Sequence, residues 1–467
     1  MAAHFPVHQL RYRNNEAAKS VGLDYLDNAS WIEHFGKFKP MEGSFSSPLA
    51  LCYHGHQFGH YNSELGDGRG FLFAQMRDEF DRLVDLGTKG SGTTPFSRTA
   101  DGRLTLKGAI REILATEMLD ALGVRTSRTF SVIETGENLE RHDEPSPTRS
   151  AVLVRLSHSH IRIGSFQRLA YMNDLDGIES LVRHVAAHYF AKPFTGGNFT
   201  HGTLNAEAPL VELIPELLSC ISGAIADTVG RWLAAGFVHG VLNTDNFNIT
   251  GESFDYGPWR FLSNFEPGLT AAYFDQTGRY AYGRQSDAAF WAICRLADCF
   301  IKLVPQNDLE DRLRIFYSLV EDRLAKQIKW RLGVVFDTED NQRDLLLARD
   351  FFAAAKKSKV GFDQIFFDLY NGKIRVEGYN RDDWGPVLDC LQNSHPRNPT
   401  ALDHPHFQSQ KALSMTIDDV EAIWAPIAKS DDWSVLSKKL EAIHQMRKAY
   451  GGDLLVPIPS IIGGALG

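Results

Sequence analysis

One long apolar segment, PLVELIPELLSCISGAIADTVGRWLAAGF at positions 209–237, constrains the fold of this 467-residue chain more than any other feature. It also contains four charged residues, Glu212, Glu216, Asp227 and Arg231. Each charge at the centre of a bilayer costs roughly 2.5–3.5 kcal/mol on insertion scales. The segment is therefore expected to be a buried helix of a soluble domain, and no membrane association is expected.

The composition is ordinary for a globular protein, with 43% hydrophobic and 23% charged residues. The length predicts two or three domains, or one large two-lobed unit. A net charge of −9 gives no reason to expect a nucleic-acid partner, because such partners normally need a basic surface. The five cysteines form no C-x-x-C pair, which fits a reducing compartment. The N-terminus has no apolar signal-peptide core, so a cytoplasmic location is expected; a transit peptide is not excluded, because the first acidic residue is Glu16.

The first part of the chain reads as sheet-rich. Residues 1–50 are expected to form an irregular lead segment. The stretch 71–90 reads as two short strands joined by a charged turn, and RTFSVIE (128–134) and SAVLVRLS (150–157) read as further strands. Between them, TLKGAIREILATEMLDALG (105–123) has apolar residues at helical spacing and ends in a glycine, which predicts a helix.

Beyond residue 175 helices dominate, so the sequence predicts an α+β fold with its sheet first. Only short strand candidates remain there, chiefly FNIT (247–250) and the stretch around WRFL (259–262). The stretch 393–407 reads as a linker before a final helical hairpin, and the tail IPSIIGGALG (458–467) is expected to be poorly ordered. The predicted helices are 177–190, 209–236, 286–304, 307–334 and 340–357.

The segment after the long apolar helix, HGVLNTDN (239–246), is similar to the catalytic loop of protein kinases, in which His-Arg-Asp is followed five residues later by a metal-binding Asn. Asn246 has the kinase spacing from His239, and Asp255 in DYG stands where the metal-binding Asp of DFG would be. The position of the kinase catalytic Asp, however, holds Val241. A loop of this kind is either inactive or performs different chemistry.

The other parts of a kinase-like nucleotide site occur in the expected order. Lys89 ends a strand, Glu112 lies on the next helix, and a loop rich in Gly, Ser and Thr (91–103) stands between them. Asn246 and Asp255 offer the oxygen ligands that Mg²⁺ prefers. Each feature has a plain alternative, since Lys89 could be a surface lysine and Glu112 a solvated carboxylate. Their joint order favours a site for ATP and a divalent metal.

Several longer blocks closely resemble the selenoprotein O (SelO) family, over roughly residues 50–300. The resemblance implies a protein-kinase-like two-lobed fold, with a sheet-rich N-lobe and a helical C-lobe. It also implies that ATP binds inverted and that AMP passes to Ser, Thr or Tyr hydroxyls of protein substrates, with pyrophosphate leaving. The blocks are YHGHQFGHYNSELGDGRG, KGSGTTPFSRTADGR, IREIL, HSHIRIGSFQ, HGVLNTDN, DYGP and GRYAYGRQ.

By resemblance, Asp245 replaces the missing catalytic base, and Asn246 and Asp255 hold Mg²⁺ or Mn²⁺. Arg155 and Arg162 flank the β- and γ-phosphates, a role that suits the planar fork of arginine. The resemblance implies a nucleotide site made of Gly66, Gly68, Arg69, Lys89, Asp101, Gly102, Glu112, Arg155, Arg162 and Asp255. The expected divisions are an N-terminal extension (1–60), an N-lobe (61–172), a helical C-lobe (173–392) and a C-terminal helical extension (393–467).

Some alternatives stay open from the residues themselves. Arg162 could simply cap a turn, whereas Arg155 interrupts an apolar strand and so needs an anionic partner. His54, His56 and His60 invite a metal interpretation, but no carboxylate or Cys completes a site. The chain could also transfer the γ-phosphoryl group as a kinase does, or act as a silent nucleotide-binding scaffold. Family members carry a Cys or selenocysteine close to the C-terminus that is linked to control of activity; the last cysteine here is Cys390, so redox regulation is not carried over.

Overall fold

The computed structural model describes residues 2–142, 144–191, 194–196, 199–201 and 203–451, so the predicted disordered tail lies outside the described residues. The chain is a mixed α/β protein, with its main sheet early and most of its helices late. The described strands up to Ser157 are β1 (Gln9–Arg13), β2 (Gly55–Gln57), β3 (His60–Asn62), β4 (Leu72–Arg77), β5 (Leu83–Lys89), β6 (Leu104–Thr105), β7 (Arg128–Leu139) and β8 (Thr148–Ser157).

Six of these strands form one antiparallel sheet, in the order β1-β7-β8-β5-β4, with β6 also paired to β8. The strands β4, β5, β7 and β8 confirm the four that the sequence predicted. In the register of β5 and β8, Gly87 lies opposite Arg155 and Lys89 lies opposite Leu153. Lys89 and Arg155 are therefore close to one another on adjacent strands of the sheet. The strands β2 and β3 form a separate hairpin.

The prediction of an irregular segment over residues 1–50 is wrong. Strand β1 pairs with β7, and two short helices follow, α1 (Asn15–Ser20) and α2 (Asn28–Phe35). Trp31 of α2 is fully buried, and its ring stacks on Phe130 of β7 with 4.8 Å between ring centres. Both helices are short and depend on side-chain caps from Asn14 and Asp27, which periodicity does not reveal.

The helix α3 (Leu106–Ala121) confirms the prediction over 105–123. It begins where the Thr105 side chain accepts a hydrogen bond from the backbone N–H of Gly108, at 3.1 Å. The chain leaves the helix through Gly123, whose φ of 76° suits glycine. Its apolar face packs on β7 and β8, and this packing buries Glu112 toward the end of β5.

The long helix α6 (Leu210–Ala235) is largely buried and confirms the buried helix predicted at 209–236. None of the described helices combines the length and apolar character that a membrane crossing requires. The helices are α4 (Ile163–Tyr171), α5 (Leu175–Tyr189), α6 (Leu210–Ala235), α7 (Gln285–Ala297), α8 (Gln306–Leu313), α9 (Phe316–Arg331), α10 (Asn341–Lys357), α11 (Phe362–Asp368), α12 (Arg381–Gln392), α13 (Ile417–Ser430) and α14 (Ser434–Ala449). The short strands among them are β9 (Phe194–Gly196), β10 (Phe199–His201), β11 (Phe237–Val238), β12 (Arg260–Phe261), β13 (Val334–Val335) and β14 (His395–Pro396).

The charges on α6 are accommodated inside the protein. Asp227 is buried and forms ion pairs with Arg231 at 2.8 Å and with Arg125 at 3.4 Å. Arg323 of α9 contacts the same carboxylate. Three guanidinium groups therefore neutralise one buried carboxylate, which explains how a charged residue is tolerated in an apolar helix.

Other predictions in the second half need correction. FNIT (247–250) is not a strand, because it makes only an isolated bridge between Asn248 and Arg162. The helix predicted over 307–334 is two helices, α8 and α9. The stretch 393–407 is not a linker, because β14 pairs with β13 and the buried ring of Phe407 stacks on Tyr370 at 4.2 Å between centres. The final helical hairpin is confirmed by α13 and α14.

Candidate active site

The carboxylate of Asp255 is the centre of the candidate site. Its Oδ1 lies 2.8 Å from Nζ of Lys89 and 3.3 Å from Nη1 of Arg155, and its Oδ2 lies 3.6 Å from Nη1 of Arg162. Burial alone would raise the pKa of Asp255, but the three cations hold this pKa well below its usual value. Asp255 also has a φ of 62°, an uncommon backbone conformation for a residue with a side chain. The carboxylate is thus ionised and surrounded by positive charge.

Lys89 joins the sheet to this carboxylate and to α3. Its ammonium contacts both Asp255 and Glu112, and Lys89 and Glu112 are both buried. The pair that the sequence predicted from order alone is therefore formed. Thr88, which precedes the lysine, accepts a hydrogen bond from the backbone N–H of Phe71 at 3.1 Å, so the threonine ties the end of β5 to β4.

Arg155 is oriented by a chain of buried polar groups that sequence reasoning missed. Its Nε donates to Nε2 of His160 at 3.3 Å, and Nδ1 of His160 lies 3.3 Å from Oδ2 of Asp85. Since Nε2 accepts, Nδ1 carries the proton and donates to the carboxylate. Burial lowers the pKa of His160, which favours this neutral form. A Cβ at Gly87 would lie 2.3 Å from Nε2 of His160, so only glycine fits between the strand and the imidazole.

Arg162 does more than cap a turn. Its guanidinium is buried between two rings, 4.4 Å from the centre of Tyr53 and 4.8 Å from that of Phe254. It donates to the backbone carbonyl of Asp245 at 2.9 Å and to the carboxylate of Asp67 at 3.3 Å. Burial would lower the pKa of Arg162, but the surrounding phenol and carboxylates raise it, so the side chain stays charged. Asp67 was not predicted, although it lies inside the GDGRG motif.

Asp245 lies on a 3₁₀ turn, Thr244–Asn246, directly after the long helix and β11. Its side chain is buried, and its Oδ1 has no hydrogen-bond partner among the described residues. Burial raises the pKa of Asp245 to about 6; Arg162 opposes this shift and Asp255 adds to it. A carboxylate with a free lone pair and a pKa near neutrality suits a general base.

The β2–β3 hairpin supports this turn from outside. The Thr244 hydroxyl accepts from the backbone N–H of His56 at 2.8 Å, and the Asn243 side chain accepts from the backbone N–H of Phe58 at 3.1 Å. The YHGHQFGHYN block therefore positions the HGVLNTDN loop. His56 itself bonds to Gln167 at 2.8 Å. Across the described ranges, no group of three or more His, Cys, Asp or Glu residues could hold a metal ion, so a metal site at the His54, His56 and His60 triplet is not formed.

Asn246 and Asp255 present chemistry that fits a hard divalent cation. The side-chain nitrogen of Asn246 donates to the backbone carbonyl of Val241 at 2.9 Å, which leaves the amide oxygen as the group available to a metal. A carboxylate and an amide oxygen, completed by phosphate oxygens, are ligands that Mg²⁺ accepts. Val241 thus contributes through its backbone, although it lacks the carboxylate of a kinase.

The glycine-rich residues shape the neighbouring loops. A Cβ at Gly66 would lie 2.3 Å from the ring of Phe96, and one at Gly68 would lie 3.0 Å from its carbonyl oxygen. The carbonyl of Arg69 accepts from the backbone N–H of Gly90 at 2.6 Å, which joins the GDGRG turn to the end of β5. The Arg69 side chain is exposed.

Asp101 and Gly102 are not brought into the cluster around Asp255. The carboxylate of Asp101 binds Arg141 at 2.8 Å and the backbone N–H of Arg103 at 2.9 Å. Gly102 has a φ of 71°, and a Cβ there would lie 2.3 Å from the carbonyl of Gly92. Both residues therefore act on the shape of the 91–103 loop.

Comparisons with known proteins identify the family of this chain. The family model described as "Protein adenylyltransferase SelO" matches residues 1–444, well beyond the stretch that suggested the resemblance. A relative from Gloeobacter violaceus is 41% identical, covering 96% of this chain and 92% of its own length. Relatives from Synechococcus elongatus (39% identical; 98% and 94% covered) and Trichodesmium erythraeum (38%; 95% and 94%) are also similar. All three are named "Protein nucleotidyltransferase YdiU". The chain therefore belongs to the SelO family of protein adenylyltransferases.

Proposed function

We propose that this protein transfers AMP from ATP to a Ser, Thr or Tyr hydroxyl of a protein substrate and releases pyrophosphate. The observation that carries the proposal is the arrangement around Asp255. Three cations, Lys89, Arg155 and Arg162, meet the carboxylate of Asp255. The backbone carbonyl of Asp245 accepts from Arg162, and the side-chain Oδ1 of Asp245 has no hydrogen-bond partner among the described residues. Lys89 also pairs with Glu112 and Arg162 with Asp67, whereas Arg155 has Asp255 as its one carboxylate partner among the described residues. A polyphosphate would bind to the cations gathered at this point.

In the proposed reaction, Asp245 accepts the proton of the attacking hydroxyl. The hydroxyl oxygen bonds to the α-phosphorus as the bond from this phosphorus to the oxygen bridging the α- and β-phosphates breaks. The electron pair leaves with pyrophosphate. Arg155 and Arg162 are assigned to this leaving group, because each guanidinium is fixed in place before reaction, which favours charge stabilisation without reorganisation.

We assign Asn246 and Asp255 as the residues that would hold Mg²⁺ or Mn²⁺. When bound, the metal supplies positive charge to the phosphate oxygens. Lys89, held by Glu112, is assigned to the nucleotide phosphates as well. Gly66, Gly68, Arg69, Asp101 and Gly102 are assigned to the shape and charge of the loops that cover the nucleotide.

We further propose a kinase-like two-lobed arrangement, with an extension (1–60), an N-lobe (61–172), a helical C-lobe (173–392) and a C-terminal extension (393–467). It is supported by the origin of the site residues, because Lys89 comes from the main sheet while Asn246 and Asp255 follow the long helix α6. All five cysteines are free thiols, which is in keeping with a reducing compartment such as the cytoplasm.

The test is a pair of transfer assays, with ATP labelled on the α-phosphate in one and on the γ-phosphate in the other. Label retained on protein only from the α-phosphate is the expected result. Label retained only from the γ-phosphate would make the protein a kinase, and label from neither, with ATP still bound, would leave a nucleotide-binding scaffold. Asp245→Asn should abolish transfer while keeping ATP binding, and Asp298→Asn, at a half-exposed surface carboxylate, serves as the matched control.

A further inference from the structure

A small aromatic surface stands exposed near the catalytic loop. Tyr273 and Phe274 have 84% and 49% of their surface exposed, and their ring centres lie 5.1 Å apart. Phe274 also lies 5.7 Å from Phe58, between ring centres. We call Phe58, Tyr273 and Phe274 the aromatic platform. Large apolar side chains that cluster at the surface mark interaction sites more often than isolated ones do.

The platform is held in place by buried polar groups. The carboxylate of Asp275 accepts hydrogen bonds from the backbone N–H groups of Arg279 and Tyr280, at 2.9 and 2.8 Å, so the loop that carries Tyr273 and Phe274 is ordered. Phe58 has a φ of 51°, a strained conformation for a bulky residue. Such strain persists only where the surrounding structure enforces it, and it is concentrated at functional sites.

The same groups connect the platform to the catalytic base. The side-chain oxygen of Asn243 accepts from the backbone N–H of Phe58 at 3.1 Å and from the hydroxyl of Tyr280 at 2.8 Å. Asn243 lies two residues before Asp245. On the same hairpin as Phe58, a Cβ at Gly55 would lie 3.2 Å from Oδ1 of Asp245. The platform is therefore tied to the loop that carries Asp245.

Arg279 adds an unpaired positive charge to this surface. Its guanidinium lies 4.9 Å from the ring centre of Trp291 and 5.8 Å from that of Tyr280. Within the part of the chain that the structure describes, it has no carboxylate at ion-pair distance, and its buried Nε has no hydrogen-bond partner. Gly59 keeps the guanidinium uncovered, since a Cβ there would lie 3.3 Å from Nη1. Arg155 and Arg162, by contrast, are both paired with Asp255.

We propose that the aromatic platform and Arg279 dock the acceptor segment of the protein substrate. The preferred segment carries a large apolar side chain, which packs on the platform, and a carboxylate, which pairs with Arg279. This inference rests on the proposed function, because it places a protein hydroxyl at Asp245. Continuity with the catalytic loop and charge complementarity at Arg279 both favour an acidic, aromatic peptide over a basic one.

The test uses a matched set of synthetic peptides with one Tyr acceptor, flanked by Phe and Glu, by Phe and Lys, by Ala and Glu, or by Ala and Lys. AMP transfer from α-labelled ATP is measured for each peptide as kcat/KM. For the unmodified protein, the Phe–Glu peptide should exceed the Ala–Lys peptide by about tenfold or more, as expected for one ion pair and one apolar contact. Equal values across the set would overturn the docking surface.

Variants separate the two contacts. Arg279→Glu should reverse the preference between the Glu and Lys peptides, and Phe274→Ala should remove the preference for Phe over Ala. Tyr25→Ala, at a remote aromatic residue that is 76% exposed, and Arg349→Glu, at an exposed helix position, are the matched controls and should leave the preference unchanged. If the Arg279→Glu variant still prefers the Glu peptides, Arg279 does not pair with the carboxylate of the substrate. Thermal melting of each variant checks the fold.

A binding measurement keeps this inference distinct from the proposed function. Fluorescein-labelled versions of the peptides are titrated by anisotropy against the protein without ATP, where no transfer can occur. Selective binding without any AMP transfer would support the docking surface and overturn the proposed chemistry. AMP transfer without selectivity in either measurement would support the chemistry and overturn the docking surface.

Discussion

Asp245, the proposed general base, is placed where catalysis and stability would make opposite demands. Its carboxylate is buried with an unpartnered oxygen atom, and burial raises its pKa to about 6. Because a general base acts in its ionised form, kcat/KM for AMP transfer should fall as the pH drops through about 6. Asp255 stays ionised over this range, since its cations hold its pKa well below the usual value. A pH profile of AMP transfer measures this directly, and a flat profile between about pH 5 and 8 would contradict the assignment.

The same shift predicts that Asp245→Asn stabilises the fold. The pKa of Asp245 is raised from 3.8 to about 6 on folding. The free energy of unfolding is therefore larger when Asp245 is protonated, and this contribution is lost as the pH rises through about 6. Above this pH the buried charge is a cost that the amide removes. The free energy of unfolding of the variant should therefore increase by about 1–3 kcal/mol at pH 8, measured by denaturant titration.

Asp227 provides the matched control, with the opposite sign. It is also a buried aspartate, but Arg231, Arg323 and Arg125 outweigh its burial and lower its pKa. Asp227→Asn would leave three guanidinium groups without their carboxylate and should destabilise the protein by about 3–5 kcal/mol. If both variants change stability in the same direction, the contrast between an unpaired and a paired buried carboxylate is wrong.

Among the elements, α14 holds the helix that carries Glu112. Arg447 of α14 lies 2.8 Å from the partly buried Glu117 and 2.7 Å from the buried Asp120, two carboxylates on α3. Arg447→Ala would leave part of this charge unopposed and should destabilise the protein by about 2–4 kcal/mol. It should also weaken the positioning of Lys89 by Glu112 and so reduce AMP transfer.

Two further variants show whether this effect is specific. Arg447→Lys keeps the charge but loses the planar fork, so it should restore stability only in part. Lys107→Ala removes a pair between α3 and α13, with Glu421, in which the carboxylate is half-exposed, and should change stability by less than about 1 kcal/mol. A loss of stability in Arg447→Ala with unchanged kcat and KM for ATP would limit Arg447 to a structural role.

Sequence periodicity succeeded for the long elements and failed for the short ones. The helices α3 and α6 repeat their apolar spacing over several turns, so the helical period is evident even though single residues depart from it. The strand β1 and the helix α2 are too short for this, and they are stabilised by distant partners such as Phe130. FNIT has strand-like composition, but the described residues provide no strand that pairs along its length. Its one β-bridge joins Asn248 to Arg162, just before α4.

At the scale of the whole molecule, the site residues gather from three distant parts of the chain. Lys89 comes from β5, Arg155 from β8, and Asp255 from the loop after α6. The order of the motifs predicted this convergence, because a kinase-like site requires it. The groups that orient the cations were not predictable, since Asp85 and His160 are 75 positions apart and carry no motif of their own. Only the paired register of β5 and β8 brings them together.

This convergence makes a final prediction about anion binding. In the absence of metal, Asp255 competes with any polyphosphate for the three cations. Pyrophosphate alone should therefore raise the melting temperature of the protein, and Arg155→Gln should reduce this effect. Arg349→Gln, at an exposed arginine that is paired with Asp350 instead, should retain it.

Asp255→Asn should respond in opposite ways with and without metal. Without metal the variant removes the competing carboxylate, so pyrophosphate should bind more tightly than to the unmodified protein. With Mg²⁺ it lacks a proposed metal ligand, so ATP should bind more weakly. Isothermal titration under both conditions measures the two effects. A loss of affinity in both would mean that Asp255 maintains the fold of the site, and a gain in both would exclude it as a metal ligand.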